Sequence, residues 1–244
     1  MAERRLALVT GASAGIGAEY ARFYAERGFD LAITARRADR LEGLANELEA
    51  RHAGKVYPIT ADLADPAAPS RLLEAIDATG RHVDVLINNA GYGLPGTYVS
   101  TKWEEQAAFL SVLVTAPSEL AHKVLPGMLS RGWGRIVNIA SLAGIAPPSA
   151  GHTLYAAAKG YMIKFSQSLN AECEGKGVNV TAVCPGFTVT EFHDVNGMRE
   201  TVSKMPDYMW QTARAVVEQG YDANERNQPV IVTGGVNKAV AAVS

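Results

Sequence analysis

Residues 6–17 read LALVTGASAGIG and join a short apolar run to a glycine-rich turn. The run Leu6–Thr10 has no alternating polar residues, which is typical of a strand buried on both faces. A helical pattern follows the turn and continues through Phe23 and Ala25. A strand, a glycine turn and a helix in this order place backbone N–H groups and a positive helix end where an anionic phosphate can bind. The segment therefore predicts a phosphate-binding turn.

The glycines of this turn have the spacing G-x-x-x-G-x-G. We expect Gly11, Gly15 and Gly17 to be required because side chains would block the approach of a phosphate to the backbone. The spacing differs from the general G-x-G-x-x-G dinucleotide fingerprint, so the turn by itself also fits a tight strand-to-helix connection. Its position directly after the first strand favours phosphate binding.

Six further short apolar runs alternate with helical patterns along the chain. Two of the helical patterns place apolar residues at i, i+3, i+4 and i+7. This alternation predicts βαβ units and hence an α/β fold, with a parallel sheet covered by helices on both faces. The runs are 30–34, 56–60, 83–87, 135–139, 178–183 and 229–232, and the helical stripes are Leu41, Leu44, Ala45 and Leu48, and Leu110, Leu113, Val114 and Pro117.

The composition of the 244 residues is that of a globular protein, with 23 Lys and Arg against 25 Asp and Glu for a net charge of −2. This balance gives no polycationic surface, so we expect no nucleic-acid partner. The apolar run after MAERR stops at Gly11, and no run of about 20 apolar residues exists, so we expect neither a signal peptide nor a membrane span. Cys173 and Cys184 are too few for a disulfide scaffold or a thiolate metal site. We expect one cytoplasmic domain over residues 1–244, with no metal and no membrane partner.

The end of the second predicted strand carries a signal about the cofactor. A carboxylate here, about 20 residues after the glycines, would bind the ribose hydroxyls of NAD. This chain has Ala35 followed by Arg36 and Arg37. Guanidinium groups suit a 2′-phosphate, and the missing carboxylate removes the repulsion that a phosphate would meet. NADP(H) is therefore favoured over NAD(H), although solvated arginines that open the next helix are the alternative interpretation.

Five motifs in order, extending to about residue 192, resemble those of the short-chain dehydrogenase/reductase family. The resemblance implies a Rossmann-type doubly wound, mainly parallel seven-stranded sheet and NAD(P)-dependent oxidoreduction between a carbonyl and an alcohol. It also implies a homodimer or homotetramer. The motifs are TGASAGIG, Asp62-Leu63, Asn88-Asn89-Ala90-Gly91, the set Ser141, Tyr155 and Lys159, and Pro185-Gly186 with Thr188 and Thr190. The resemblance assigns Ser141, Tyr155 and Lys159 to catalysis, and the cofactor to Gly11, Ser13, Gly15, Ile16, Gly17, Arg36, Arg37, Asp62, Leu63, Asn89, Tyr155, Lys159, Pro185, Gly186, Thr188 and Thr190.

The chemistry of Ser141, Tyr155 and Lys159 can also be inferred from the residues themselves. Tyr155 and Lys159 are four apart in the helix-favouring run YAAAK, so they share one face of a helix. A phenol titrates near pH 10, and we expect the ammonium to lower the pKa of Tyr155 so that it exchanges a proton with the reacting oxygen. Ser141 follows the strand at 135–139, where its hydroxyl can hydrogen-bond the same oxygen.

One position departs from the family pattern. Leu113 stands where the family commonly has an asparagine whose main-chain carbonyl holds a proton-relay water. Pro117 lies four residues later and has no N–H to bond the Leu113 carbonyl. We hypothesise that Pro117 kinks the helix and frees this carbonyl for the relay water. Two neutral changes in a packing helix are the alternative.

The segment 191–228 is the part that covers the substrate in similar proteins. Its apolar and adaptable residues, without a cationic cluster, predict a small, largely apolar carbonyl or alcohol as substrate. Two histidines flank the expected cleft, and simple loop placement is the favoured interpretation for both. The apolar residues are Phe192, Met198, Met205, Tyr208, Met209 and Trp210, and the histidines are His152 and His193.

Two other classes of function stay open at this point. A non-catalytic NADP(H)-binding sensor or scaffold protein is favoured by Leu113 but opposed by the intact Ser141, Tyr155 and Lys159. A related epimerase or dehydratase could use the same tyrosine, and no residue distinguishes it.

Overall fold

The seven apolar runs form one parallel sheet in the computed structural model, which describes residues 4–94, 96–147, 150–151, 153–191 and 206–242. The strand order is β3-β2-β1-β4-β5-β6-β9, and every neighbouring pair is parallel. Two short strands, β7 and β8, pair separately. The strands are β1 (Leu6–Thr10), β2 (Asp30–Ala35), β3 (Val56–Thr60), β4 (Val85–Asn88), β5 (Gly134–Ile139), β6 (Val178–Cys184), β7 (Thr188–Val189), β8 (Gln211–Thr212) and β9 (Val230–Val232). The predicted doubly wound α/β fold is confirmed.

Helices pack on both faces of this sheet, which explains why its central strands are mostly apolar and lack a regular polar–apolar alternation. Alternate residues of β1 belong to opposite clusters, with Ala7 and Val9 in one and Leu6 and Leu8 in the other. No helix among the described residues is both long and apolar enough to cross a membrane. The helices are α1 (Gly15–Glu26), α2 (Ala38–Arg51), α3 (Ala68–Asp77), α4 (Trp103–Leu110), α5 (Ala116–Arg131), α6 (Thr153–Glu172), α7 (Ala213–Glu225) and α8 (Gly235–Ala242).

The two predicted helical stripes differ in outcome. In α2 all four apolar residues of the stripe are buried. In the second stripe Leu113 and Pro117 are buried, whereas Leu110 and Val114 are only half-buried. Phe109, which the stripe does not include, is buried in the same apolar cluster as Leu113. The second stripe was therefore placed partly on the wrong face of its helix.

A π-helical turn, Ser111–Thr115, joins α4 to α5. The Ala116 N–H donates to the Ser111 carbonyl, five residues earlier, as this wider turn requires. Pro117 lies in the first turn of α5, where a missing N–H is tolerated. The expected interruption of the helix is present, but it is a π-helical turn before the proline and not a kink at the proline alone.

The strand order places the site. The chain runs outward in opposite directions from β1 and β4, and a crevice forms at the carboxyl ends of parallel strands where such a reversal occurs. Gly11 follows β1, Asn89 follows β4 and Pro185 follows β6, all at this edge. Segments far apart in sequence are thus brought to one crevice.

Candidate active site

A cavity of about 1020 Å³ occupies the crevice and collects nearly all of the predicted site residues. Its lining extends from the glycine turn and the two arginines to the Ser141, Tyr155 and Lys159 set. Gly17 and Leu113 are not among the lining residues. The predicted residues that line it are Gly11, Ser13, Gly15, Ile16, Arg36, Arg37, Asp62, Leu63, Asn89, Ser141, Tyr155, Lys159, Pro185, Gly186, Thr188 and Thr190.

The glycine turn exposes bare backbone to the cavity. Gly11 and Gly15 have φ angles of +66° and +57°, which disfavour any other residue. A Cβ atom at Gly11 would lie 2.8 Å from the Cα of Ala90, and one at Gly15 would lie 3.1 Å from the Thr190 side chain. The turn therefore forms a cradle that side chains would fill, and it fits the phosphates of a dinucleotide.

Gly17 supports this cradle from behind. A Cβ atom there would lie 2.4 Å from both the Asn89 amide nitrogen and the Gly11 carbonyl oxygen. The Asn89 Nδ2 donates to the carbonyls of Thr10 at 2.9 Å and Gly11 at 3.2 Å. The Asn89 N–H donates to Thr10 Oγ1 at 3.0 Å. These contacts fasten the end of β4 to the turn after β1, and they need Gly17 to be small.

The arginines after β2 turn toward the same cradle. The Arg37 guanidinium donates to Ser13 Oγ, at 3.0 Å from Nη2 and 3.3 Å from Nε. Arg37 also directly precedes the first residue of α2. It therefore lies beside the glycine turn and at the start of the next helix, which are the two placements that the sequence suggested. Arg36 also lines the cavity. Burial raises the pKa of the Tyr92 phenol, and the positive charge of Arg36 partly opposes this effect. The described lining thus carries two cations close to the glycine turn.

Three side chains from two elements meet at the other end. Ser141 follows β5, and its Oγ accepts a hydrogen bond from the Ala143 N–H at 3.1 Å. Tyr155, in the first turn of α6, forms a hydrogen bond with the Ser141 side chain. The Lys159 Nζ donates to the Ile139 carbonyl oxygen at 2.7 Å and lies 5.7 Å from the centre of the Tyr155 ring. The structure brings together the residues that the sequence grouped.

The electrostatics of this group differ from the sequence-based prediction. Burial raises the pKa of Tyr155 above its ordinary value, and the hydrogen bond with Ser141 opposes this effect. The predicted net lowering of the Tyr155 pKa is wrong, because the effect of burying the phenol exceeds the effects that favour its ionised form. Burial also lowers the pKa of Lys159 to about 8. At neutral pH the phenol therefore carries its proton and the amine is mostly charged.

A second, much smaller cavity of about 10 Å³ adjoins Lys159. Leu113, Pro117 and Asn88 also line it. The Asn88 Nδ2 donates to the Pro117 carbonyl at 3.2 Å, while Asn88 Oδ1 is buried with no hydrogen-bond partner among the described residues. A volume of this order, about 10–15 Å³, is what one buried water requires. The position predicted for proton relay therefore faces a polar space beside the lysine.

Two of the lining residues that were not individually predicted as site residues make close contacts with predicted ones. Glu191 follows β7, and its carboxylate lies 3.3 Å from the Arg37 guanidinium. Asn237 of α8 packs so tightly under Gly186 that a Cβ atom at this glycine would lie 2.4 Å from its amide. No local pattern in the sequence marks either residue, because both act through contacts that span tens of residues. The glycine at position 186 indicates only that another group packs closely against the backbone there, without identifying Asn237.

Three of the predicted substrate-covering residues, Phe192, Met198 and Met205, lie outside the described part of the chain. The two histidines predicted to flank the cleft, His152 and His193, also lie outside it. Of the others, Met209 lines the cavity, and the Trp210 ring packs against Phe187 with centroids 5.6 Å apart. Tyr208 is exposed. Residues 213–225 form α7, whose Val216 and Val217 pack in the core cluster that contains residues of α1. The covering role of 191–228 stays a prediction.

Comparisons with known proteins agree with this geometry. Residues 5–200 match the short chain dehydrogenase family. The chain is 35% identical over 189 residues to a serine 3-dehydrogenase from Agrobacterium fabrum, a match covering 76% of this chain and 72% of the relative. The protein therefore belongs to the short-chain dehydrogenase/reductase family and is an NAD(P)-dependent oxidoreductase of the carbonyl/alcohol type.

Two solved structures are similar over most of the chain. A short-chain dehydrogenase from Sphingobium yanoikuyae in complex with NADPH is 34% identical, with a TM-score of 0.85, and the match covers 93% of this chain and 87% of that one. A bulky-bulky ketone specific alcohol dehydrogenase from Comamonas testosteroni is 32% identical, with a TM-score of 0.81 and coverage of 93% and 85%. The cytoplasmic location and the homodimer or homotetramer stay predictions.

The lowered pKa of Lys159 has a measurable effect on stability. The unfolded chain holds this proton up to about pH 10.4, whereas the folded chain loses it near pH 8, so burying the charged amine destabilises the fold below pH 8. As the pH rises from 7 to 9.5 we expect wild type to gain about 2 kcal/mol of unfolding free energy relative to Lys159→Met. Urea unfolding of both proteins at the two pH values measures this gain. A difference that does not change with pH would contradict the assignment.

Proposed function

We propose that the protein is an NADP(H)-dependent oxidoreductase that interconverts a carbonyl and an alcohol on a small, largely apolar substrate, with Tyr155 as general acid and base. One observation carries the proposal. A single cavity joins a phosphate cradle with adjacent arginines to the hydrogen-bonded pair Ser141 and Tyr155 above a buried Lys159. This arrangement favours catalysis over a sensor role, since a sensor needs only the cradle.

The preference for NADP(H) is supported by the end of β2. Arg36 and Arg37 line the cavity beside Ser13, where an adenosine 2′-phosphate could accept their hydrogen bonds. Ala35, the last residue of β2, supplies no carboxylate to bind a free ribose hydroxyl. The Sphingobium yanoikuyae relative that binds NADPH is similar over nearly the whole chain.

The proton chemistry follows from the positions of three side chains. A bound nicotinamide dinucleotide supplies or accepts the hydride. The Tyr155 hydroxyl, kept protonated by its raised pKa, donates its proton to a carbonyl oxygen during reduction and regains one afterwards. The Ser141 hydroxyl, already hydrogen-bonded to Tyr155, can donate to the same oxygen and stabilise its developing negative charge. The Lys159 ammonium, held by the Ile139 carbonyl, favours the phenolate once the proton has left.

Leu113 enters this scheme through its main chain. Pro117 has no N–H to donate to the Leu113 carbonyl, and both residues line the small cavity beside Lys159. We place a relay water there, bound by the Leu113 carbonyl and by Lys159. Its presence would also satisfy the unpartnered Asn88 Oδ1. An asparagine side chain at position 113 is then unnecessary for proton relay.

The apolar substrate is supported by apolar residues in the cavity wall. Val112, Leu142, Phe187 and Met209 line the same described cavity as Tyr155. Apolar walls with a few polar groups that fix the reacting oxygen are typical of sites for small hydrophobic ligands. The similar alcohol dehydrogenase from Comamonas testosteroni is specific for bulky-bulky ketones. Ketones with apolar substituents on both sides are therefore the first substrates to test.

The central experiment is the substitution Tyr155→Phe. We expect kcat with NADPH and a panel of aldehydes, ketones and quinones to fall at least a hundredfold, because the proton donor is removed. Titration calorimetry should show NADPH binding within about threefold of wild type. Tyr161→Phe, an exposed tyrosine on the same helix, is the matched control and should keep wild-type turnover. Wild type that binds NADPH but turns over no panel member would instead support the sensor.

The cofactor preference is tested at Arg37. We expect Arg37→Gln to weaken NADPH binding about tenfold and to leave NADH binding unchanged, since only NADPH carries the 2′-phosphate. Arg51→Gln removes an exposed arginine from the far end of α2 and should change neither affinity. Equal losses for the two cofactors, or wild-type binding of NADH as tight as NADPH, would refute the preference.

The relay is tested at Pro117. Pro117→Ala restores an N–H that can bond the Leu113 carbonyl, so we expect kcat to fall roughly tenfold while NADPH affinity is kept. Pro126→Ala changes an exposed proline inside the same helix and should not affect kcat. Unchanged turnover in Pro117→Ala would eliminate this role for the Leu113 carbonyl.

A further inference from the structure

Glu191 joins two arginines at the phosphate-binding end of the cavity. Its Oε2 accepts from Arg37 Nη1 at 3.3 Å, and its Oε1 accepts from Arg40 Nη1 at 3.2 Å. Arg37 at the same time donates to Ser13 Oγ. The two guanidinium groups thus meet at one carboxylate of the chain, and Arg37 also joins this carboxylate to the Ser13 hydroxyl. Guanidinium groups bind carboxylates and phosphates through the same N–H donors, so the place that this carboxylate occupies also suits a phosphate.

The position of this carboxylate matters because it lines the cavity. Glu191, Arg37 and Ser13 are all lining residues, so they share the space into which a dinucleotide extends. An anion that binds Arg37 from the cavity must compete with the Glu191 carboxylate for the same N–H groups. A phosphate beside Glu191 also meets the repulsion of a like charge. Both effects act on the 2′-phosphate and are absent for a ribose that carries only hydroxyls.

The contacts of Glu191 are weak enough to be replaced. The side chains of Arg37, Arg40 and Glu191 are 43%, 51% and 44% exposed. Ion pairs of this exposure are screened by solvent and contribute little to stability. A dianionic phosphate, with more acceptor oxygens, can take over both guanidinium groups. Displacement of Glu191 then leaves Arg40 free to bind the phosphate as well.

We propose that Glu191 and Arg40 are specificity-determining residues of the cofactor site. Glu191 stands in for the 2′-phosphate and competes with it for Arg37 and Arg40, and Arg40 is an additional phosphate ligand. Glu191 therefore weakens the binding of NADP(H) but not that of NAD(H). The ratio of the two affinities is smaller than it would be without this carboxylate. This inference rests on the proposed function only in placing the adenosine end of the dinucleotide beside Arg37.

The test compares Glu191→Gln, Arg40→Gln and wild type by titration calorimetry with NADPH and with NADH. We expect Glu191→Gln to bind NADPH about fivefold more tightly and Arg40→Gln about threefold more weakly, in the range of exposed charge interactions. NADH affinity should stay within a factor of about two in both variants. Glu218→Gln, which removes a carboxylate paired with Arg214 away from the cavity, is the matched control and should change nothing.

The outcomes separate this inference from the proposed function. Unchanged NADPH binding in Glu191→Gln overturns the proposed competition, because removal of a competitor must strengthen binding. Weaker NADPH binding overturns it as well, because the carboxylate would then assist binding by orienting the arginines. Equal tightening for NADPH and NADH overturns it too, because the effect would not involve the 2′-phosphate. Wild type that binds both cofactors equally refutes the proposed preference, whereas selective tightening in Glu191→Gln still supports the competition.

Discussion

The hydrogen bond from Lys159 Nζ to the Ile139 carbonyl holds the reacting end of the site together. It fastens α6 to the carboxyl end of β5, two residues before Ser141. Burying an ammonium group is costly unless a polar partner meets it, so this carbonyl stabilises the lysine at the position that the proposed proton transfer requires. Because Tyr155 is on the same helix face, fixing Lys159 also fixes the phenol against the serine.

The close approach of α6 to this edge depends on small residues. A Cβ atom at Gly144 would lie 2.7 Å from the backbone nitrogen of Gly160, within the same helix that carries Tyr155 and Lys159. The helix can therefore reach the strand end only if position 144 has no side chain. At the other end of the cavity, Asn89 donates hydrogen bonds that join the turn after β1 to the end of β4. The glycine turn and the proposed proton donor Tyr155 are thus fixed to adjacent strands of one sheet.

Much of this could be predicted from the sequence because the relevant signals are local. Strands buried on both faces appear as uninterrupted apolar runs, and the glycine turn, the arginines after β2 and the YAAAK run each lie within a few residues. Burial of the Tyr155 phenol depends on the packing of the whole fold, so the direction of its pKa shift was wrong. The contacts of Glu191 with Arg40 and of Asn237 with Gly186 join distant parts of the chain, and no local pattern encodes them.

The π-helical turn Ser111–Thr115 has a consequence for changes in chain length. A π-helical turn closes its hydrogen bond across one more residue than an α-helical turn does. Loss of one residue within this turn would restore regular winding and leave α5 with about the same rotation relative to α4, because the turn already contains the additional residue. Leu120 and Ala121, which are fully buried against the sheet, would then keep their contacts. A deletion in the regular part of α4 would instead rotate all of α5 by about 100° and displace these side chains.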